Sequence, residues 1–491
     1  MALFLILALT VLLYIRTLNY NYVIDDIVKR DGYLYVVPDS APSPDFWKKK
    51  PSPWYRAFMI LTHCVNITAI YALWGWCPAL LFAVHPIGIV GTAWVTGNYY
   101  ATTTLFCLAS FYFLHIFPNI LGASLSVAFM TAALNSTVGA LAFPFLLSIA
   151  FFPWGLTNLL PLVMFLRGKR WRAGLKKRVQ LKSGGIVDLP KWEFRRIFLM
   201  TKVMARYIYL AFYPNKLGFF RIFGQGISAY RERYDHMHAP NGEFLGSALL
   251  CATVLGVGLI INPVATAWFF ILMGLHTQWQ LMGQFFAERY LYMPLIGLCV
   301  IVGSLIQSSP VLVAVVTTAL VYRTIQQIPA WRNQEELWKS DVANFPEYYS
   351  VYNNLAQYYM STGKVDVNHV NQIAAYLRKA ENIAPNAWEV HMNISCFNHL
   401  IGQYDLCLQY TRSAIECKKK VCKEGFVDLP LEKLLEQEKQ IVDYIKKKKG
   451  ELGESLSHPK KEEENGTRKE EGENAGVAEH DRERNLALSK A

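Results

Sequence analysis

The sequence predicts an all-α chain in three parts: a polytopic membrane domain over residues 1–326, helical repeats over 327–445, and a disordered charged tail over 446–491. Three observations predict it. Of 491 residues, 53% are hydrophobic and the mean hydropathy is +0.19, yet nearly all the long apolar runs lie before Gln326. Beyond Gln326 the apolar residues fall at helical spacing in pairs, with Pro346 and Pro385 ahead of each pair. From Lys446 onward Lys, Glu, Gly and Asn dominate, a composition that buries too little apolar surface to order itself.

The first apolar run, residues 2–15, lacks a basic start and a small-x-small cleavage site and continues through Leu18. It reads as an uncleaved membrane helix rather than a signal peptide. Further spans are expected over 57–74, 79–96, 101–117, 119–135, 138–166, 197–213, 244–262, 264–286, 290–307 and 310–326. Residues 138–166 carry Pro144, Pro153 and Pro161, so that segment is expected to be broken or partly re-entrant. Counted as one crossing, it brings the total to about eleven.

The net charge is +12, and much of the excess lies in one loop, residues 167–196. Basic loops between apolar segments stay cytoplasmic, so the charge reports topology and not nucleic-acid binding. With that loop inside, the loop 19–56, the Glu288-Arg289 turn and everything beyond Gln326 lie outside. Nine cysteines show no paired or metal-ligand spacing. Cys64, Cys77, Cys107, Cys251 and Cys299 read as small packing residues. Cys396, Cys407, Cys417 and Cys422 could pair if the repeats face an oxidising compartment.

After Gln326, residues 388–399, a turn over 402–405 and residues 406–417 form the second helical pair. Leu355, Ala356, Tyr359, Gly363, Ala380 and Pro385 follow a tetratricopeptide-like pattern of about 34 residues. An insertion around 365–372 lengthens the first unit, and 429–445 supplies a capping helix.

Asp25-Asp26 is the sharpest chemical feature. The pair opens an external loop about two turns beyond the first membrane helix. Such carboxylates are ordinarily solvated, but one partly desolvated at the bilayer surface can accept the proton of an attacking hydroxyl. His85 beside Pro86 is either a polar group of a cavity or a satisfied histidine at a helix break. His236 and His238 make a weak metal pattern. Asn66, Asn135, Asn393 and Asn465 begin Asn-x-Ser/Thr sequons, of which the first sits in an apolar run and cannot be an acceptor.

Five stretches resemble the transmembrane-and-tetratricopeptide O-mannosyltransferases and their bacterial relatives. Asn21-Tyr22-Val23-Ile24-Asp25-Asp26 is similar to the start of that family's first external loop. Leu81-Phe82-Ala83-Val84-His85-Pro86, with Trp94-Val95-Thr96-Gly97-Asn98, is similar to its His-Pro segment and the turn that follows. Phe212-Tyr213-Pro214-Asn215-Lys216-Leu217, Ala287-Glu288-Arg289-Tyr290-Leu291-Tyr292-Met293-Pro294 and Trp331-Arg332-Asn333 complete the set in the family's order. The resemblance covers roughly residues 10–415, and the Glu-Arg…Tyr-x-Pro stretch is its most specific part. Two positions depart from it. Asn135-Ser136-Thr137 stands where many relatives have Ser-Lys-Glu, and Asn98 stands where they have Arg.

The resemblance implies a GT-C glycosyltransferase using a polyprenyl- or dolichyl-phosphate sugar on the non-cytoplasmic side. That agrees with the lack of any Rossmann pattern or Gly-rich phosphate loop in the sequence. The expected reaction is inverting transfer of one sugar, mannose foremost, to Ser/Thr of a protein held by the repeats. Asp25 or Asp26 is the expected base. Arg289 and Arg206 are the expected donor-phosphate ligands, with Glu288 and His85 in support. Arg206, lying inside a span, should face the protein interior. No cofactor or metal is assigned, although a divalent ion stays open. The host membrane would be endoplasmic reticulum in a eukaryote, or inner membrane in a bacterium. A glycan or lipid acceptor, or a scaffold that has lost its site, are the alternatives.

Overall fold

Every regular element among the described residues is a helix. The computed structural model describes residues 1–23, 50–167, 194–218, 239–277, 286–362, 367–423, 435–436 and 438–444. The chain divides into two compact units, Met1–Val351 and Tyr352–Ala491.

In the first unit, α1 (Ala2–Tyr14) runs on through a 3-10 turn to Asn19. α2 (Pro53–Trp74) begins on proline, whose missing N–H costs nothing in a first turn. It ends at Gly75, where φ of +91° favours glycine. α3 (Trp76–Val84) stops at His85 because the residue before a proline is driven out of the helical region; His85 sits at φ −69°, ψ 132°. Two short pieces follow, a 3-10 helix Pro86–Gly88 and α4 (Ile89–Thr92). The expected span over 79–96 is therefore not one helix, and α3 with 9 residues covers only about 14 Å at 1.5 Å per residue.

α5 (Asn98–Ile116) and α6 (Ile120–Ser136) form a hairpin. Asn119 caps α6 by accepting from the amides of Leu121 and Gly122. Ser110 and Ser126 hydroxyls meet at 2.7 Å between the two helices, and Ser126 reaches Asn158. Residues 138–167 are broken as their prolines predict: a 3-10 turn, α7 (Phe143–Ala150), a second 3-10 turn and α8 (Leu159–Arg167).

The unit continues with α9 (Arg196–Phe212), α10 (Gly242–Ile261), α11 (Pro263–Gly274), α12 (Leu295–Ile306), α13 (Pro310–Gln327) and α14 (Gln334–Asn344). Asn241, Asn262, Ser309 and Asn333 each cap the helix that follows by accepting a backbone N–H. Among the described residues, four segments are long and apolar enough to cross a membrane: Ala2–Asn19, Pro53–Trp74, Gly242–Ile261 and Pro310–Trp331. α11 and α12 have 12 residues each, about 18 Å, and are shorter than the spans expected over 264–286 and 290–307. Only 6% of the α10 segment is buried, against 44% for α2.

The second unit holds two helix pairs. α15 (Tyr349–Ser361), which begins in the first unit, pairs with α16 (Val367–Ile383), and α17 (Trp388–Leu400) pairs with α18 (Tyr404–Lys423). The insertion expected around 365–372 falls largely in the opening turns of α16. Tyr359 stacks on Tyr376 between the first pair, and Trp388, Met392, Ala414 and Ile415 form a core between the second. Gly402, at φ +77°, turns the chain from α17 into α18. Asn393 donates to Asn353, joining α17 to α15. Of the expected capping helix, residues 438–444 are helical and bury Ile441 against Cys407. The charged tail lies outside the described residues.

Candidate functional site

Asp25 and Asp26 lie outside the described residues, but the segment that leads to them is held at both sides. Arg56, fully buried in the first turn of α2, donates to the carbonyls of Tyr20, Asn21 and Ala93. The N–H of Asn21 donates to the carbonyl of Arg332 at 3.0 Å. Val23, the last described residue before the acidic pair, is fully buried. A guanidinium suits this place because its planar fork serves several carbonyls at once.

Ala93 adjoins Trp94, and Trp94 leads to the Glu288-Arg289 turn. Arg289 is half-buried, with its Cζ 5.9 Å from the centroid of Trp94 and 5.1 Å from that of Tyr290. Guanidinium carbon at such distances from aromatic rings is a cation–π arrangement. Tyr290 also stacks on His276, with centroids 4.4 Å apart and planes at 7°, and meets Tyr100 edge-on at 6.4 Å. The Arg289 charge acts on both His276 and Tyr100. The turn is held on either side. Tyr207 brackets Ala287, its hydroxyl accepting from the amide at 3.1 Å and donating to the carbonyl at 3.3 Å. Beyond it, the Tyr292 hydroxyl lies 2.7 Å from His63 Nδ1.

Glu288, 8% exposed, accepts from the N–H of Gly218 at 2.8 Å. Arg323 donates to the carbonyls of Pro214 and Asn215, and Asn344 donates to that of Leu217. Glu288 thus fixes the 214–218 loop against the turn that carries Arg289. His85 is buried and occupied by backbone on both nitrogens. Nδ1 accepts from the N–H of Ile87 at 3.2 Å, so Nε2 carries the proton and donates to Ala211 at 3.0 Å. It serves the helix break.

Arg206 is placed otherwise than the sequence indicates. It does not face the interior: its side chain is 46% exposed and pairs with Glu243 at 2.7 Å. Its neighbour Lys202, one turn back, is the cation that is buried, 4.0 Å from the same carboxylate. The carboxylate is supplied by the first turn of α10, a partner that no local reading of α9 reveals.

No family model, curated protein or solved structure matches this chain. The resemblance rests on its motifs alone.

Several residues of the site carry no signal in the sequence. His276 lies at the end of an apolar run without any motif around it, and only its stacking on Tyr290 draws attention to it. Arg56 reads as the end of a loop and is instead buried. The two departures from the family pattern both flank the same rings. Asn98 begins the helix that carries Tyr100, and Thr137 caps the turn at Gly139, whose Cβ position is 3.8 Å from His276 Nε2. In the second unit, His391 and Asp405, Gln409, Arg412 and Glu416 of α18 line a groove of about 680 Å³. His391 donates through Nε2 to the carbonyl of Pro385. Cys396 and Cys407 are free thiols.

Chemically, a half-buried guanidinium set among aromatic rings can hold one anionic group. The rings stand beside its charge, and partial exclusion of water strengthens the attraction.

Proposed function

We propose that the chain is a multi-pass membrane glycosyltransferase of the GT-C type, crossing the bilayer about eleven times. It moves one sugar, mannose foremost, from a polyprenyl-phosphate carrier to a Ser/Thr hydroxyl of a protein on the non-cytoplasmic side. The observation that carries this reading is Arg289, half-buried between Trp94 and Tyr290. It stands beside the turn that Arg56 ties to the root of the Asp25-Asp26 loop. A lipid phosphate needs a cation at the membrane surface, and the acceptor needs a base close to it.

In the step proposed, the acceptor oxygen attacks the sugar C1 from the face opposite the phosphate. The C1–O(phosphate) bond breaks as the C1–O(acceptor) bond forms, with inversion. The hydroxyl proton passes to the carboxylate of Asp25 or Asp26, and Arg289 stabilises the charge growing on the departing phosphate. Arg206 has its charge engaged by Glu243, and Arg289 is the phosphate ligand of this reading. The repeats, with helix pairs that stack on one another, would receive the acceptor.

The test is sugar transfer from polyprenyl-phosphate mannose to a Ser/Thr peptide by wild type, Asp25→Asn and Asp26→Asn. Loss of the base should slow turnover by about 10²–10⁴-fold in one variant, with Asp26 favoured. Full activity in both variants would remove the catalytic assignment. One observation favours a scaffold instead: neutral Asn135-Ser136-Thr137 and Asn98 stand where the family pattern is charged. Inactive wild type with every such donor would select that reading.

A further inference from the structure

A closed ring of contacts stands at the root of the first loop. Arg56 donates to the carbonyls of Asn21 and Ala93, and Trp94 follows Ala93 in the chain. The Trp94 ring meets that of Trp331, with centroids 6.3 Å apart and planes at 41°. Trp331 is followed by Arg332, whose carbonyl accepts from the N–H of Asn21 at 3.0 Å. The circuit thus returns to Asn21. Arg56, Trp94 and Trp331 are all buried.

Separate parts of the sequence meet in this circuit: the segment after Asn19, the first turn of α2, the end of α4, and the 3-10 turn Ile328–Trp331 between α13 and α14. Members of one contact network depend on one another energetically. The turn Ile328–Trp331 is itself fixed. Pro329 stands in it with a preset φ, and its carbonyl accepts from the N–H of Arg332 at 3.1 Å. Asn333 then caps α14, accepting from the N–H of Glu336 at 2.9 Å.

Arg289 stands over one member of this circuit. Its Cζ is 5.9 Å from the centroid of Trp94, the ring that Trp331 supports. Tyr290, the other ring beside it, is its neighbour in the chain and moves with the same turn. Trp94 belongs to a different element, so it is the outside reference against which the guanidinium is placed. A cation is attracted to the face of a ring, and the tilt of Trp94 therefore decides where Arg289 is held.

Resting on the donor reading above, we propose that Trp331 is a positioning residue: through Trp94 it holds Arg289 where the donor phosphate meets it. Arg332, next in the chain, holds Asn21 at the same time. The phosphate ligand and the root of the Asp25-Asp26 loop are thereby referenced to one turn, Ile328–Trp331. Loss of the Trp331 ring frees Trp94 to tilt, and Arg289 follows it away from the phosphate with its charge unchanged.

The experiment measures binding of polyprenyl phosphate to the full chain in lipid nanodiscs. The variants are Trp331→Leu, Trp331→Phe, Arg289→Ala and the Trp331→Leu/Arg289→Ala double, with Trp74→Leu, at the far end of α2, as control. Trp331→Leu should weaken binding by about threefold to tenfold. Trp331→Phe, which keeps a ring against Trp94, should recover most of that loss. The double variant should bind within about twofold of Arg289→Ala alone, because Trp331 acts through the guanidinium. Trp74→Leu should bind as wild type does. Trp331→Met serves the same cycle if the leucine protein does not fold. Losses that multiply in the double variant, an equal loss in Trp74→Leu, or wild-type affinity in Trp331→Leu would overturn the positioning role and leave Arg289 as a phosphate ligand. A wild type that does not bind the lipid phosphate, or an Arg289→Ala protein that binds it fully, would overturn the donor reading and this proposal with it.

Discussion

His63 Nδ1 lies 2.7 Å from the hydroxyl of Tyr292, joining the middle of α2 to the residue three places after Arg289. Asn66, one turn further along α2, donates to the same hydroxyl at 3.4 Å and to the carbonyl of Ala101 at 2.9 Å. The Tyr292 oxygen thus accepts from Asn66 and shares a second hydrogen bond with His63 Nδ1. Three side chains set the depth of the turn that presents Arg289.

Tyr292→Phe should lower the stability of the detergent-solubilised protein by about 1–3 kcal/mol, because it strands two buried polar groups. His63→Phe should do the same. Combined, the two changes should cost clearly less than their sum, since neither residue then leaves the other unpaired. Thermal unfolding of the four proteins gives the coupling, and strict additivity would separate the two residues.

Arg289→Ala should weaken binding of polyprenyl phosphate by about 1.5–3 kcal/mol, the scale of a hydrogen bond to a charged group. Arg289→Lys should recover part of it, because an ammonium restores the charge but not the planar fork. Titration of purified protein with labelled lipid reads both. Unchanged binding by a well-folded Arg289→Ala protein would assign the residue to the packing of Trp94 and Tyr290.

Gly218→Ala and Gly246→Ala should act in opposite directions. A Cβ at Gly218 would overlap Asp341 Oδ1 and stand 2.5 Å from the Phe345 ring, while one at Gly246 would meet nothing within 4 Å. The first change should therefore destabilise by about 1–3 kcal/mol through overpacking. The second should be neutral or stabilise α10 by up to about 1 kcal/mol. Unfolding midpoints compare them directly, and equal effects would discredit the packing of the 214–218 loop.

Single cysteines at Lys50 and Lys339 should react with a membrane-impermeant maleimide from the same side, and one at Asn119 from the other. All three positions are exposed. Labelling is read in right-side-out and inverted vesicles, above the signal of the wild-type thiols. Opposite sides for Lys50 and Lys339 would break the topology on which the catalytic reading depends.

Much of the fold was legible because it follows from apolar periodicity and proline. The break over 138–167 and the α17–α18 pair were both visible in this way. Hydropathy failed where a long apolar run contains a short helix. Residues 79–96 are apolar almost throughout, yet Pro86 divides them, because burial within the protein and not helix length sets their composition. It failed again at Arg206, since the environment of a charged residue is decided by the neighbouring helix, here by Glu243. Arg289 was legible through its motif. His276 was not, because stacking between residues from two separate turns leaves no periodic trace.

The contact between Asn21 and Arg332 sets an order of events during synthesis. About three hundred residues lie between the two, so at roughly 5–20 residues per second the carbonyl that receives Asn21 is made some 15–60 s later. Two other ties close over similar lengths: Thr324 to Val84 across 240 residues, and Tyr292 to His63 across 229. The first helix is made early, but the stretch leading to Asp25-Asp26 gains its last anchor only after α13 has been made. A chain interrupted before that point carries residues 20–23 without the tie to Arg332, so the support of its first loop is the last part of the domain to be completed.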